Sequence, residues 1–303
     1  MRRILAALTA VLALAFGAGR AMADPPMWIV HGPKSTMVLF GSIHLLPVGL
    51  EWRPAALDAW LGRTDELWFE LPIDSNTDSQ AAELSQTRGM LPQNGSLLAK
   101  LSPSDAERLR RVSERLNRSV PAIDEMRPWL AEVTLSIAMD AADGADASSG
   151  VEEQIQAIVP VTVKRRALET AKQQIDFLAG ADEQEQIASL SETLREIEDE
   201  PGDYRRVVDD WLAGNVAALE RDALDPQRHA SQAMFDRLIT DRNRRWAKAL
   251  KARLKHPGVV VVVVGVGHLV GKEGLPAQLR GMGFEVDGPM VSPALAAPVA
   301  STR

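Results

Sequence analysis

The chain has 303 residues, of which 46% are hydrophobic and 25% charged, carries a net charge of −7, and contains no cysteine. Without thiols it has no disulfide and no thiolate metal ligand, so a transition metal must be held by imidazole and carboxylate groups. The acidic balance argues against nucleic acid and anionic membrane surfaces as partners.

The first 23 residues read as a secretory signal peptide: Arg2-Arg3, an apolar run from Ile4 to Phe16, and the small-x-small step Ala21-Met22-Ala23. That apolar run is shorter than the roughly 20 residues of a membrane span, and no later segment is apolar enough to make one. Cleavage would remove Arg2, Arg3 and Arg20 and move the net charge from −7 to −10. The expected destination is the periplasm or the outside of the cell. No Pro/Gly/Ser linker divides the remainder, so residues 24–293 read as a single domain and 294–303 as a flexible tail.

Met27 to His31, the turn Gly32-Pro33-Lys34-Ser35 and Thr36 to Phe40 form an expected β-hairpin. Leu50 to Leu61 reads as a helix with Pro54 in its first turn, and Glu66 to Leu71 as a short strand ended by Pro72. Ser96 to Leu101 and Ser104 to Leu116 carry helical spacing, with Ser104 and Glu107 as a capping box on the second. A further helix spans Pro121 to Met139, begun or broken at Arg127-Pro128-Trp129. Ala141 to Gly150 is a loop, Val151 to Ile158 a short helix, and Pro160 to Leu168 includes a strand ending near Glu169. Asp182 to Glu198, Tyr204 to Leu224 and Ala230 to Leu254 are amphipathic helices. Gly258 to Val264 is a buried strand, followed by a helix from Leu275 to Arg280 and a strand from Phe284 to Val286. The expected fold class is α/β (α+β): a central mixed sheet formed by N- and C-terminal strands, with a large helical insertion.

Two apolar runs end in the same way, in Gly41-Ser42-Ile43-His44 and in Gly265-Val266-Gly267-His268. In an open α/β sheet, ligands gather just beyond the strand ends. Neutral imidazole is both a metal ligand and an acid/base group. One such histidine is ordinarily a satisfied structural residue; the doubling puts a shared site on an equal footing. Glu70 ends an apolar strand, where burial is costly without a cation or strong donors. It reads equally as an outward edge residue, because Glu66 shares its face. Glu169 and Glu152 are candidate carboxylates that orient a ligating histidine. Arg242 and Asn243 lie in a charged helical turn that reads either as a solvated face or as a clamp for a carboxylate or oxyanion. Arg244 and Arg245 are assigned to the solvated face. The zincin, nucleophile-elbow and Walker motifs are absent, and Ser42 stands too close to His44 in sequence to be a good nucleophile.

The ordered set resembles the TraB/GumN family, whose animal relatives are the TIKI metalloproteases, within a wider erythromycin esterase/ChaN-like superfamily. The resemblance runs through Leu39-Phe-Gly-Ser-Ile-His-Leu-Leu-Pro47, Phe69-Glu70-Leu71, Arg127-Pro-Trp-Leu130 and Leu168-Glu169-Thr170. It continues in Asp241-Arg-Asn-Arg-Arg-Trp-Ala247 and Val264-Gly-Val-Gly-His-Leu-Val-Gly271. It implies a divalent metal ion (Zn, Mn or Co) on His44, Glu70 and His268. Glu169 or Glu152 would serve as general base or as a positioning carboxylate, and Arg242 and Asn243 would hold substrate. The implied activity is hydrolysis of a peptide or protein substrate. The alternatives are a metal- or haem-binding protein without turnover, or an accessory factor in envelope or polysaccharide export. The chain departs from the family pattern at Glu152, where many members carry Asp, and at Lys164-Arg165-Arg166, which replace apolar and glycine residues.

Overall fold

The computed structural model describes residues 24–200 and 202–290. The expected signal peptide and the 294–303 tail lie outside them. Among the described residues there are eight strands: β1 (Met27–His31), β2 (Ser35–Ser42), β3 (Leu46–Pro47), β4 (Glu66–Phe69), β5 (Ala145–Asp146), β6 (Lys164–Ala167), β7 (Gly258–Gly265) and β8 (Glu285–Met290). Six of them form one mixed sheet in the order β6-β4-β7-β2-β1-β8, while β3 and β5 make a separate two-stranded ribbon.

The sheet's centre comes from opposite ends of the chain. In β7, residues Val260 to Val264 are all buried. A β-branched run of this kind, without alternation, suits a strand covered on both faces. It pairs in parallel with β2 on one side and with β4 on the other. β6 extends the parallel set, and β1 and β8 close the other edge in antiparallel pairs. The four parallel strands β6, β4, β7 and β2 therefore deliver their C-terminal ends to one side, and the residues just beyond those ends become neighbours.

Apolar packing falls into two clusters. One surrounds the sheet and includes Phe40, Trp52, Trp211 and Trp246. The other ties together the helices Pro103–Arg115, Pro128–Ala142 and Glu183–Asp199 through Leu109, Leu135, Leu190 and Leu194.

Several elements differ from expectation. The helix Ala55–Leu61 starts only after Pro54. Ser96 to Leu101 contains just the short turn Leu98–Lys100. The cap of Pro103–Arg115 is Ser102, which accepts from the Asp105 N–H at 3.1 Å; Glu107 instead pairs with Arg110. The Pro121 to Met139 segment divides into Val120–Asp124 and Pro128–Ala142. The 141–150 loop contains β5 and the turn Ala147–Ser149.

Tyr204 to Leu224 breaks at Gly214, whose φ of +65° does not continue a helix. The 230–254 helix is interrupted by a π-helical turn at Asp236–Thr240 before Asp241–Arg253. A π turn inserts an extra residue and rotates the helix beyond it. Downstream of that turn both Arg242 and Asn243 are buried.

Glu132, in the helix Pro128–Ala142, accepts hydrogen bonds from Ser189 and Thr193, but burial dominates and pushes its pKa up from 4.5 to about 7. The folded protein then holds this proton more tightly than the unfolded chain does. Its contribution to stability is therefore present below pH 4.5 and is lost as pH rises through about 7, a change of order 3 kcal/mol. The variant Glu132→Gln keeps an acceptor for both hydroxyls and removes the titration. Thermal unfolding should show it several degrees more stable than the parent at pH 8 and little different at pH 4.5.

Candidate functional site

Each parallel strand end contributes a polar residue. β2 and β7 pair with Ser42 opposite Gly265, so the two Gly-x-x-His segments leave adjacent strands together. Glu70 follows β4, and the ladder continues past β4 and β6 through the Glu169 N–H, which donates to the Glu70 carbonyl at 2.9 Å. Glu70 is thus an interior residue, 7% exposed, and not an outward edge position.

The centre of the site is the Arg242 guanidinium. Its Nη2 donates to Glu70 Oε2 at 2.6 Å, and its Nε donates to the Glu169 carboxylate at 3.0 and 3.2 Å. Its Nη1 donates to the Leu238 carbonyl at 3.2 Å, within the π-helical turn, and meets His268 Nε2 at 3.0 Å. The other Glu70 oxygen accepts from the Gly265 N–H at 2.8 Å. Arg242 also lies over the Trp246 ring, 4.7 Å from its centroid.

Both histidines are oriented by their Nδ1 atoms. Asn243 spends its amide N–H groups on the carbonyls of His268 and Glu273, so its Oδ1, 2.7 Å from His268 Nδ1, must accept from that nitrogen. His268 therefore carries its proton on Nδ1 and presents a lone pair on Nε2. Glu152 opens the helix Val151–Ile158, where a negative group meets the positive end of the helix. Its Oε1 receives the Ser42 hydroxyl and lies 2.8 Å from His44 Nδ1. Ser42 thus points at Glu152 and not at an imidazole base.

His44 Nε2 faces the same point as Glu70. A methyl group at Gly265 would sit 3.3 Å from both His44 Nε2 and Glu70 Oε1. A side chain at Gly150 would collide with the His44 carbonyl oxygen, so both motif-adjacent glycines make room for the histidine. His268 Nε2 is 3.9 Å from Glu70 Oε1.

The protonation states follow from these surroundings. Burial drives the His268 pKa down to about 3, so its imidazole is neutral at neutral pH. For Glu70, burial acts upward, but His268, Arg242, His44 and the Gly265 N–H outweigh it and bring the pKa down to about 2. Because His268 is neutral, the positive charge at Glu70 comes from Arg242 and His44. The Glu152 charge raises the His44 pKa above its ordinary 6.5, moderated by water at a side chain that is 56% exposed. His44 is the open side of the site; His268, Glu70, Glu169, Arg242 and Asn243 are buried behind it.

The residues marked in the sequence, His44, Glu70, Glu152, Glu169, Arg242, Asn243 and His268, thus stand in one connected set. Two contributors escaped the sequence reading. Arg245 is exposed, as expected of the solvated face, but it also lies 3.6 Å from Glu169 and over Phe177, 4.4 Å from the ring centroid. The Gly265 N–H is the second donor to Glu70. Arg245 follows Arg242 by three residues on one helix, which was the available signal. Arg244 is exposed and pairs with Asp241, as expected of a solvated face.

Residues 26–288 match the TraB/PrgY/gumN family. The chain belongs to that family. Its curated relatives include the protein titled "Uncharacterized protein YbaP" of Escherichia coli (strain K12), 28% identical over 244 residues, which are 80% of this chain and 87% of the relative. The protein of the same title from Shigella flexneri matches with the same figures. No solved structure matches at a significant level. Family membership spans the whole strand-end constellation, from the β2 motif to the residues following β7.

Replacing Arg242 tests how the buried charges are held. Arg242→Met leaves Glu70 and Glu169 in an apolar setting without their shared cation, which should cost about 3–5 kcal/mol of stability. Urea unfolding should show that loss for Arg242→Met and less than about 1 kcal/mol for the neighbouring exposed Arg244→Met.

Proposed function

We propose that the protein is a metal-dependent hydrolase of the cell envelope or secreted space, acting on peptide or protein carbonyls. One observation carries this reading. Two imidazoles from neighbouring strands have their Nδ1 atoms on Glu152 and Asn243 and turn their Nε2 atoms toward Glu70. A ligating histidine is ordinarily held in this way, through its second nitrogen, by a carboxylate or carbonyl oxygen. The location rests on the sequence pattern of the first 23 residues, which reads as a signal peptide.

The donor chemistry fits a divalent ion. His268 and Glu70 supply a nitrogen lone pair and an ionised carboxylate, and His44 adds a second nitrogen once an incoming cation displaces its proton, a set compatible with Zn, Mn or Co. Such an ion, when bound, would polarise a carbonyl and activate water. Among the described residues no group of three is already arranged to hold one. The reason is visible: Arg242 lies on His268 Nε2 and on one Glu70 oxygen, so a cation competes with the guanidinium for two of its three donors.

The chain's own groups divide the remaining work. Glu152 keeps His44 in place at the open side, where substrate arrives. Asn243 fixes the His268 tautomer. Glu169 anchors Arg242 through Nε, and the guanidinium brings positive charge to a buried site where charge developing on a substrate oxygen is strongly stabilised. Both oxygens of Glu169 face Arg242, so Glu169 serves this reading as a positioning carboxylate and not as the base.

The occupation of His268 and Glu70 by Arg242 favours a second reading, in which the site binds ligands without turnover. One experiment separates the two. The mature protein is stripped with chelator, reloaded with Zn, Mn or Co in turn, and assayed for bound metal and for cleavage of a peptide library. The hydrolase reading predicts one metal per chain, metal-dependent cleavage, and loss of at least about a hundredfold in activity in His44→Ala and His268→Ala. Metal uptake without cleavage would leave the binding protein, and full activity in the double His→Ala variant would sink the mechanism.

A further inference from the structure

The helical insertion contains a cavity of about 260 Å³ that none of the strand-end residues lines. Its apolar wall includes Val133, Leu178, Met234 and Phe235, and two carboxylates, Glu132 and Asp140, join them. No Lys, Arg or His is among the lining residues. Both hydrogen bonds to Glu132, from Ser189 at 2.7 Å and Thr193 at 3.3 Å, fall on Oε1; Oε2 has no partner among the described residues. The Asp140 carboxylate has no hydrogen bond or ion pair among the described residues, and the charges that act on it, Asp143 and Asp203, are acidic too. Asp143 has Arg205 and Asp203 has Arg206; neither arginine lines the cavity.

Carboxyl groups set in apolar surroundings are expensive without a cation. Here burial pushes Glu132 up to about 7 and Asp140 up to about 6. The wall thus offers two negative groups joined by a mostly apolar surface, broken by Ser136, Ser189 and Gln227, and lacks the counter-charge. The spacing is set by the helix Pro128–Ala142: Glu132, Ser136 and Asp140 fall at i, i+4 and i+8 on one face. Eight residues at 1.5 Å rise place the two carboxylates about 12 Å apart along the axis. The volume lies below the range of about 300–1,000 Å³ common for drug-sized ligands, so the occupant is slim.

We propose that this cavity binds a linear aliphatic diamine, one ammonium group on Glu132, the other on Asp140, with the methylene chain against Val133, Leu178, Met234 and Phe235. The chain length is set by the carboxylate spacing, and the apolar wall selects methylenes over a polar spacer. The cavity meets the strand-end constellation at Leu238, whose carbonyl accepts from Arg242, but its two carboxylates belong to no part of that site and the proposal stands whether or not that site cleaves peptides.

Titration calorimetry on the mature protein at pH 8, with 1,8-diaminooctane as probe, tests it. One saturable site is expected, with octylamine, 1,8-octanediol and 1,4-diaminobutane each binding at least about tenfold more weakly. Glu132→Gln and Asp140→Asn should each weaken the diamine at least about tenfold, with thermal unfolding confirming that both fold. Ser136→Lys, which places an ammonium group between the two carboxylates, should abolish diamine uptake without unfolding the chain. No saturable binding by the parent, equal affinity for octylamine, or undiminished binding by the folded Glu132→Gln/Asp140→Asn variant would overturn the proposal.

Discussion

A single guanidinium holds the strand-end site together. Arg242 is buried and meets two buried carboxylates, a neutral imidazole and a helix carbonyl, so its charge and its planar fork of donors are both used. Three segments far apart in sequence converge on it: the end of β4, the residues after β6 and the turn after β7. Each buried carboxylate would be unfavourable alone, and so would the arginine; together they are tolerable because every charge has partners. The hydrogen bonds also fix direction. Glu70 receives Arg242 on one oxygen and the Gly265 N–H on the other, so its carboxylate plane has no freedom to turn away from the histidines.

Most of this site was legible in the sequence because strand ends announce themselves. Six consecutive valines followed by Gly-Val-Gly-His leave little choice but a buried strand and a sharp exit. Glu70 after Leu67-Trp68-Phe69 is a carboxylate in a place that burial penalises. The relative placement was not legible. Whether Arg242 and Asn243 faced water or the core depended on the π-helical turn at Asp236–Thr240, and a one-residue rotation leaves no mark in an i, i+3, i+4 pattern. The role of the Gly265 N–H was hidden for another reason: every residue has a backbone donor, and only tertiary placement makes one matter.

The sheet and the order of its major elements follow from apolar patterning, which is why the mixed sheet with a helical insertion was readable. Boundaries within the helical region were less so. Ser102 and Ser104 both offer a hydroxyl near a helix start, and Pro103 decides between them by taking the first helical position, where its missing N–H costs nothing. Gly214 and the π turn at Asp236–Thr240 divide segments that amphipathic spacing reads as continuous. The helix Ser75–Gly89 shows almost no segregation of apolar from polar residues, with only Thr77 and Gly89 buried, so periodicity had nothing to detect.

The position of β7 in the sheet has a consequence for the order of assembly. It lies between β2 and β4, yet it comes from residues 258–265, far downstream of both. Until that segment arrives, the N-terminal hairpin and β4 have no strand to join them, and Glu70 lacks the Gly265 N–H that fixes its second oxygen. A growing or truncated chain has neither a continuous sheet nor a site. Whatever chemistry the strand ends perform is thereby withheld until residues 258–268 join the sheet, a safeguard that follows from topology alone.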